Sequence, residues 1–413
     1  SQAHEIDAYD ALWIDDKTLL ISERVAQEPR VVRAIRLGAP PQAIAEARQP
    51  GESLLLREVD KDGYAIIEHS HPNWSFFEVF SETTLARPYV VTPKDSPGSA
   101  CAIMGGAVLC SSFRSHKMGS IIRIDPHGRS APKTLYIESS GGSISGLTAT
   151  PHGLAVFTSH ATYSTVSLLT SDGTIIRGPV ASGPATTLSP TPLALRTRGS
   201  VVTKRSFLRP TTHVPIDEVV NDSNREAPQC RGCVERSLFA TSADGTLVPI
   251  SLVVPPNPTG LLINVYGSYG VSVTAEFDPQ TLALLHRDIA VAIAHVRGGG
   301  DRGPSWHLLA RGSHKTSSIE DLSASVSELT RALALQPHQI VLRGRSAGAW
   351  LVAKTATTCP GLFGAMILEA PLLDLEHTVS DRTLPLHERE TYEWGTSLET
   401  LRKLYPNPST SGL

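Results

Sequence analysis

The run Gln339-Ile340-Val341-Leu342 leads into Gly344-Arg345-Ser346-Ala347-Gly348. The pentapeptide is G-x-S-x-G, set where a strand would turn sharply into a helix. Such a turn is a nucleophile elbow, which lifts a serine hydroxyl clear of a sheet edge. Its two glycines let strand and helix crowd the serine without side-chain clashes. Taken alone the pattern is weak, since ordinary Gly and Ser usage yields it by chance in roughly one chain in five to ten of this length. A structural Gly-rich turn is the competing reading. Context favours catalysis: a buried-type strand precedes the serine, and Ala347 to Thr357 supplies good helix formers.

Acyl transfer by serine requires a base for the hydroxyl proton and donors for the oxyanion. The backbone N–H of Ala347, just after the nucleophile, is the natural first donor. The second belongs on the loop after an early strand, where Tyr266-Gly267-Ser268-Tyr269-Gly270 sits. The base is harder to place. In this arrangement the acid and the histidine follow the serine on loops after later strands. Only one strand is evident after Ser346. Asp374, His377, Asp381 and His387 crowd close behind it, before later strands form. The expectation is that the catalytic acid and histidine lie outside this chain.

Gly298-Gly299-Gly300-Asp301-Arg302-Gly303 matches G-x-G-x-x-G after a strand. Pro304 and Trp306 follow at once, and no βαβ unit opens the chain before it. The reading is a tight backbone turn near the active site rather than a dinucleotide fingerprint. No cofactor is expected. Cys230-Arg231-Gly232-Cys233 is a C-x-x-C pair without two further ligands at zinc spacing, so ordinary loop cysteines are expected, with a redox or disulfide pair as the alternative and no metal. Five cysteines in so long a chain make no disulfide framework, and a reducing, cytoplasmic compartment follows as the default.

The elements that position these residues fall into two halves. The chain has 413 residues, 40% of them hydrophobic and 19% charged, with a formal charge of −3. Two or three domains with a large core fit these figures. No basic surface argues for nucleic acid. The longest apolar runs, such as Ile289 to Val296, are too short to span a bilayer. No secretory signal is visible, although the chain begins at Ser1 rather than Met, which leaves an earlier leader open.

Residues 1–222 read as strand after strand, at Ala11 to Ile14, Ser53 to Arg57, Tyr64 to Glu68, Tyr89 to Val91, Gly106 to Ser111, Ser120 to Ile124, Leu154 to Thr158 and Thr165 to Leu169, all short and most bounded by Gly, Pro, Asp or Ser. Asp62-Gly63 and Asp172-Gly173 are hairpin-type turns. No convincing amphipathic helix appears. Strand groups recur at intervals that fit a β-propeller with blades of about four strands. A sandwich competes. Residues 223–234 are polar, carry Pro228, and form a linker. From 235 to 413 the pattern becomes strand-helix-strand, after a hairpin turning at Asp244-Gly245. Leu261 to Tyr266, Ile289 to Val296 and Ala365 to Glu369 read as buried strands. Ser317 with Glu320 makes a capping box, and Ile319, Leu322, Val326, Leu329 and Leu333 follow 3-4-3-4 spacing up to the stop at Pro337. Short apolar strands alternating with helices imply a parallel sheet covered on both faces. With the serine elbow this is the α/β-hydrolase arrangement.

Three blocks stand in order: Tyr266-Gly267-Ser268-Tyr269-Gly270, Val296-Arg297-Gly298-Gly299-Gly300, and the elbow pentapeptide. Leu384-Pro385-Leu386 with Glu393-Trp394-Gly395 adds a fourth. In order and approximate spacing they resemble the prolyl oligopeptidase family of serine peptidases, over about residues 235–410. The nearest likeness is to oligopeptidase B and to the prolyl-endopeptidase-like proteins; Leu368-Glu369-Ala370-Pro371-Leu372-Leu373-Asp374 leans toward the latter. The resemblance implies that the Tyr266 hydroxyl is the second oxyanion donor and that Tyr269 lies near the substrate pocket. In oligopeptidase B two glutamates before the Trp-Gly pair bind a basic P1 side chain. Glu390 matches the first, but Tyr392 stands at the second. Paired carboxylates suit a guanidinium fork, so strict Arg/Lys preference is weakened. Ala349 replaces the family's usual second glycine after the elbow.

Against the family both ends read as incomplete. The strand-rich part is short for the full propeller, and the acid and histidine region is absent. A fragment, a processed chain and a degenerate protein all fit. The function implied is a serine-type peptidase that cleaves short peptides after basic residues. Ser346, Ala347 and Tyr266 would be catalytic, Glu390 and Tyr269 would bind substrate, and a second chain or segment would complete the site. An esterase or thioesterase, or an interaction protein that lost its triad, are the alternatives. Ser346 is expected at a strand-to-helix turn facing the interface between the halves.

Overall fold

The computed structural model describes residues 8–395, apart from 26–27, 37–38, 50–51, 60–63, 82–84, 86–87, 89, 93, 96–98, 126–129, 192–200, 221–227 and 385–386. The Asp62-Gly63 turn, Pro385 and Leu386, and part of the linker lie outside the described residues.

Among the described residues the first half holds five antiparallel sheets laid down in chain order. The first holds β1–β4 (Ala8–Trp13, Thr18–Val25, Glu28–Arg36, Gln42–Glu46) and the second β5–β8 (Ser53–Val59, Tyr64–His71, Trp74–Ser81, Val90–Val91). The third holds β9–β12 (Cys101–Met104, Ala107–Ser112, Ser120–Ile124, Lys133–Ile137), and the fourth β13–β16 (Ser143–Thr150, Gly153–Ser159, Ser164–Leu169, Ile175–Ala181). The fifth has three strands, β17–β19 (Thr186–Pro190, Val201–Ser206, Thr212–Pro215), and runs into a short helix α1 (Ile216–Val220) that the sequence reading did not anticipate.

Strand alternation explains how these sheets stack. Successive side chains on a strand point to opposite faces. In β6, Ala65 and Ile67 join the core shared with the first sheet, while Ile66 joins the core shared with the third. In β10, Val108 faces the second sheet and Leu109 faces the fourth. In β14, Val156 faces the third sheet and Phe157 faces the fifth. Each middle sheet is therefore apolar on both faces and sandwiched between its neighbours in sequence. This is propeller packing, and the single-sandwich alternative is set aside.

Among the described residues the second half is built on one six-stranded sheet, ordered β20-β21-β23-β22-β24-β25. These strands are Val234–Thr241, Leu247–Val254, Ile289–Ala294, Gly260–Val265, Ile340–Arg345 and Ala365–Glu369. β22 to β25 are parallel, whereas β20 and β21 form an antiparallel hairpin, so the sheet is mixed rather than purely parallel. The hairpin connection through Asp244-Gly245 is too short for a crossover and forces the antiparallel edge.

Alternation splits this sheet too. Leu261, Ile263 and Val265 pack under α4 (Thr316–Leu333) and α5 (Ala347–Thr358). Leu262, Val291 and Ile293 face Leu285 of α2 (Pro279–Leu285) together with Phe207 and Leu208 from the strand-rich half, and a short helix α3 (Pro304–Leu308) follows the loop after β23. No capping box forms at Ser317 and Glu320: α4 begins at Thr316, directly after a 3₁₀ turn over Gly312–His314, and its N-cap is Lys315, which makes no side-chain cap. The turn already feeds the chain into the helix with helical dihedrals, so no capping side chain sets its start.

The cysteines also differ from expectation. Cys101 and Cys110 are direct cross-strand partners and are joined as a disulfide, as are Cys230 and Cys233. Gly232 at φ +81° folds the second pair back on itself. Cysteine usage therefore no longer argues for a reducing compartment. Among the described residues no helix is long and apolar enough to cross a membrane.

Candidate active site

The strand order reverses around β22, with β23 on one side and β24 on the other. Beyond the C-terminal ends of such strands lies the crevice where open α/β sheets bind ligands. Three loops leave these three strand ends: residues 266–270 from β22, 297–303 from β23, and 344–348 from β24. They carry three of the blocks singled out in the sequence.

The loops pack backbone against backbone. A Cβ on Gly298 would collide with the Gly267 carbonyl, and one on Gly300 with the Gly270 carbonyl. The G-x-G-x-x-G segment is thus a tight backbone turn packed against the 266–270 loop. Its far end reaches the strand-rich half: Ser159 Oγ donates to the Asp301 carbonyl at 3.0 Å, and a Cβ on Gly303 would strike Ser143. Arg297 of the same block clamps the scaffold. Its guanidinium donates to Asp321 at 2.9 and 2.7 Å and to Asp244 at 2.5 Å, tying α4 to the β20–β21 turn.

Ser346 stands between β24 and α5 with φ +53° and ψ −120°, a strained conformation for a non-glycine residue. Its N–H donates to the Glu369 carbonyl at 2.9 Å, and its carbonyl accepts from Ala349 and Leu372, which pin the turn. Ala347 is the first residue of α5, so no helical carbonyl can accept its N–H. A Cβ on Gly348 would lie 2.6 Å from the Val265 carbonyl and 3.0 Å from the Tyr266 Cα. That glycine is what lets the elbow and Tyr266 stand side by side. Burial raises the Tyr266 phenol above its ordinary value, with Arg389 acting in the opposite sense, so the hydroxyl stays protonated and able to donate.

A short helix α7 (His387–Trp394) supplies the remaining groups, following α6 (Leu375–Ser380). Glu390, Glu393 and Trp394 fall on one helical face and are all buried. Tyr269, held at φ +56°, donates its hydroxyl to Glu390 Oε2 at 2.6 Å, and the Trp394 indole donates to the same oxygen at 3.0 Å. Burial pushes the Glu390 carboxyl up despite these donors. Tyr392 turns elsewhere, its ring capped by the Arg311 guanidinium at 3.9 Å.

Glu393 and Lys315 are both 0% exposed. Glu393 accepts from Lys315 Nζ at 2.8 Å and faces His307 Nε2 at 2.6 Å. Burial alone would raise its carboxyl, but Lys315 and His307 outweigh it and hold the group down at about 2. A carboxylate with a depressed folded value contributes stability above its ordinary value, and that stability is lost as pH falls toward the folded one. The stability difference between wild type and Glu393→Gln should therefore be full near neutrality and shrink between the ordinary 4.5 and about 2. Urea unfolding of both proteins across that range checks it; a difference that stays constant would remove the carboxylate from the acid response.

Among the described residues none of the sequence candidates for acid and base, Asp374, His377, Asp381 and His387, is hydrogen-bonded to the serine; Asp381 instead accepts from Thr383. Asp374 caps α6 through the His377 N–H, His377 is exposed, and His387 contacts Thr391 at 3.4 Å. Among the described residues no histidine is hydrogen-bonded to Ser346. One constellation has the connectivity of a triad: Ser251 Oγ to His295 Nε2 at 2.8 Å, and His295 Nδ1 to Asp301 at 2.9 Å. All three are buried, at 1%, 1% and 4% exposure, so no substrate reaches them, and they brace β21 against the glycine-rich loop. Lys315 and His307 were not picked out in the sequence. A lysine ahead of an amphipathic helix carries no sign that it will be buried.

Residues 275–410 match the family described as the prolyl oligopeptidase family. The prolyl endopeptidase-like protein of Xenopus laevis is 37% identical over 166 residues, which cover 39% of this chain and 24% of that protein. The prolyl endopeptidase-like protein of Homo sapiens is 34% identical over 183 residues, covering 43% and 25%. The matched stretch is thus about a quarter of each relative's length. Among solved structures, oligopeptidase B from Trypanosoma brucei with covalently bound antipain superposes with a TM-score of 0.79, at 21% identity, over 97% of this chain and 62% of that one. Prolyl oligopeptidase B from Galerina marginata superposes at 0.76 with 16% identity, over 97% and 61%. At these identities the structures speak to the fold, and they extend the likeness through the strand-rich half. The resemblance read from the four blocks is borne out.

Proposed function

We propose that this chain, whose hydrolase half is of the prolyl oligopeptidase family, carries the nucleophile and oxyanion site of a serine-type peptidase for short peptides. The supporting observation is the meeting of Ser346, the Ala347 N–H and Tyr266 at the adjacent ends of β22 and β24, with Gly348 against the Tyr266 backbone. Ser346 attacks the peptide carbonyl, and Ala347 and Tyr266 hold the oxyanion. In this reading residues 1–222 form a propeller-like domain, 223–234 a linker and 235–413 the catalytic domain. The base comes from outside the described residues, on a further segment or a second chain. The native polypeptide as its gene encodes it, tested on peptide substrates beside Ser346→Ala, decides the matter. Turnover that survives the substitution would end the reading.

Glu390 is the group we assign to a basic P1 side chain, with Tyr269 beside it. Both internal donors end on Oε2, which leaves Oε1 for the substrate. One carboxylate offers less than a pair, so neutral P1 residues should compete. Glu390→Gln should lower kcat/KM for basic P1 substrates by roughly ten- to a hundredfold, the worth of one charge-assisted hydrogen bond, and leave neutral ones nearly unchanged. A P1 panel checks this; equal losses for both classes would make Glu390 purely structural. Ester or thioester turnover is the second reading, because acyl transfer from an ester or thioester needs the same serine and the same oxyanion donors. The same oxyanion site serves it, and a thioester panel separates the two.

A further inference from the structure

We propose that Lys315 and Glu393 are positioning residues that lock the 266–270 loop and thereby fix the Tyr266 hydroxyl beside the elbow; the catalytic part of this rests on the peptidase reading above.

A lysine ammonium has three protons to donate, and all three are spent here. Lys315 Nζ donates to the Gly267 carbonyl at 2.8 Å, to Ser268 Oγ at 2.6 Å and to Glu393 at 2.8 Å. Two of its three partners therefore belong to the residues immediately after Tyr266. Glu393 is itself anchored by His307, whose ring lies 3.5 Å from where a Cβ on Gly270 would stand. Glu390 and Trp394, on the same helix as Glu393, fasten the Tyr269 hydroxyl. The loop is thus gripped at Gly267, Ser268 and Tyr269, with His307 packed against Gly270, and Tyr269 keeps a left-handed backbone that surrounding structure must enforce.

Stability alone does not account for the arrangement. Burial pulls the Lys315 ammonium below its ordinary value even with Glu393 beside it. Removing two charges from water is costly, and apolar replacements of such pairs are often neutral or stabilising. What an apolar pair cannot supply is a donor for Gly267 and Ser268.

The test is Lys315→Met/Glu393→Gln, which removes both charges together and keeps an acceptor for His307. Lys315→Met alone would strand a buried carboxylate and risk misfolding. Amide hydrogen exchange in the full chain should speed up by about tenfold or more over 266–270, with the α4 and α5 amides unchanged. In the native polypeptide kcat should fall about a hundredfold, as for a misplaced oxyanion donor, with KM within about threefold. Combined with Tyr266→Phe the double substitution should add little, because both act through one hydroxyl. Unchanged exchange over 266–270, an unchanged kcat, or losses that multiply in full with Tyr266→Phe would each overturn the proposal. Faster loop exchange in a protein without Ser346-dependent turnover would uphold the lock and sink the peptidase reading.

Discussion

Residues 1–413 expressed alone should hydrolyse peptides and esters about 10⁶-fold more slowly than a complete triad enzyme, leaving roughly 10³–10⁴ over water from the oxyanion site and binding. The reason is geometric. Ser346 is presented on a well-formed elbow, yet no described histidine is hydrogen-bonded to it, and His377 and His387 are engaged on their own helices. An unactivated serine hydroxyl is a poor nucleophile at neutral pH. Turnover of p-nitrophenyl ester and peptide substrates by this stretch, by the native polypeptide and by Ser346→Ala forms of both is the measurement. Robust Ser346-dependent turnover by residues 1–413 alone would mean that one of the chain's own histidines moves in to act as base.

Tyr266→Phe should cost about 3–4 kcal/mol of transition-state stabilisation, or 10²–10³ in kcat, with KM little changed. The phenol lies beside the elbow glycine and is kept neutral by burial. Substitution by Phe removes one oxygen and leaves the ring that contacts Tyr269, with centroids 6.2 Å apart, in place. Steady-state kinetics of the variant in the native polypeptide checks this. A rise in KM at constant kcat would make Tyr266 a ground-state binding residue instead.

The elbow, the loops around it and the hydrolase sheet were legible because each rests on local chemistry. Gly344 and Gly348 announce close backbone approach, and the 3-4-3-4 apolar positions of α4 announce the face that meets the sheet. The polar lock was not legible, because it is made of contacts between residues far apart in sequence: Lys315 and Glu393 are separated by α4, β24, the elbow, α5, β25 and α6. Many propeller strands were also missed. Ser143–Thr150 is rich in Ser, Thr and Gly, and only Ile144, Leu147 and the half-buried Ala149 seat it in the core between the third and fourth sheets. Trp74–Ser81 follows a two-residue turn at Pro72-Asn73 that lacks the Gly usual in such hairpins.

The alternation that shares each middle sheet's side chains between two neighbours makes the first half a linear array in energetic terms. A sheet in such an array answers only to the ones beside it, so its stability is a sum of its own term and its adjoining interfaces. Damage then stays local. A cavity at Leu20 weakens the first interface and spares the fourth, whereas one at Phe157 loosens the fifth sheet, whose Phe207 and Leu208 plug the underside of the hydrolase sheet. The distance of a lesion from the hydrolase, counted in sheets, sets how strongly the catalytic half feels it.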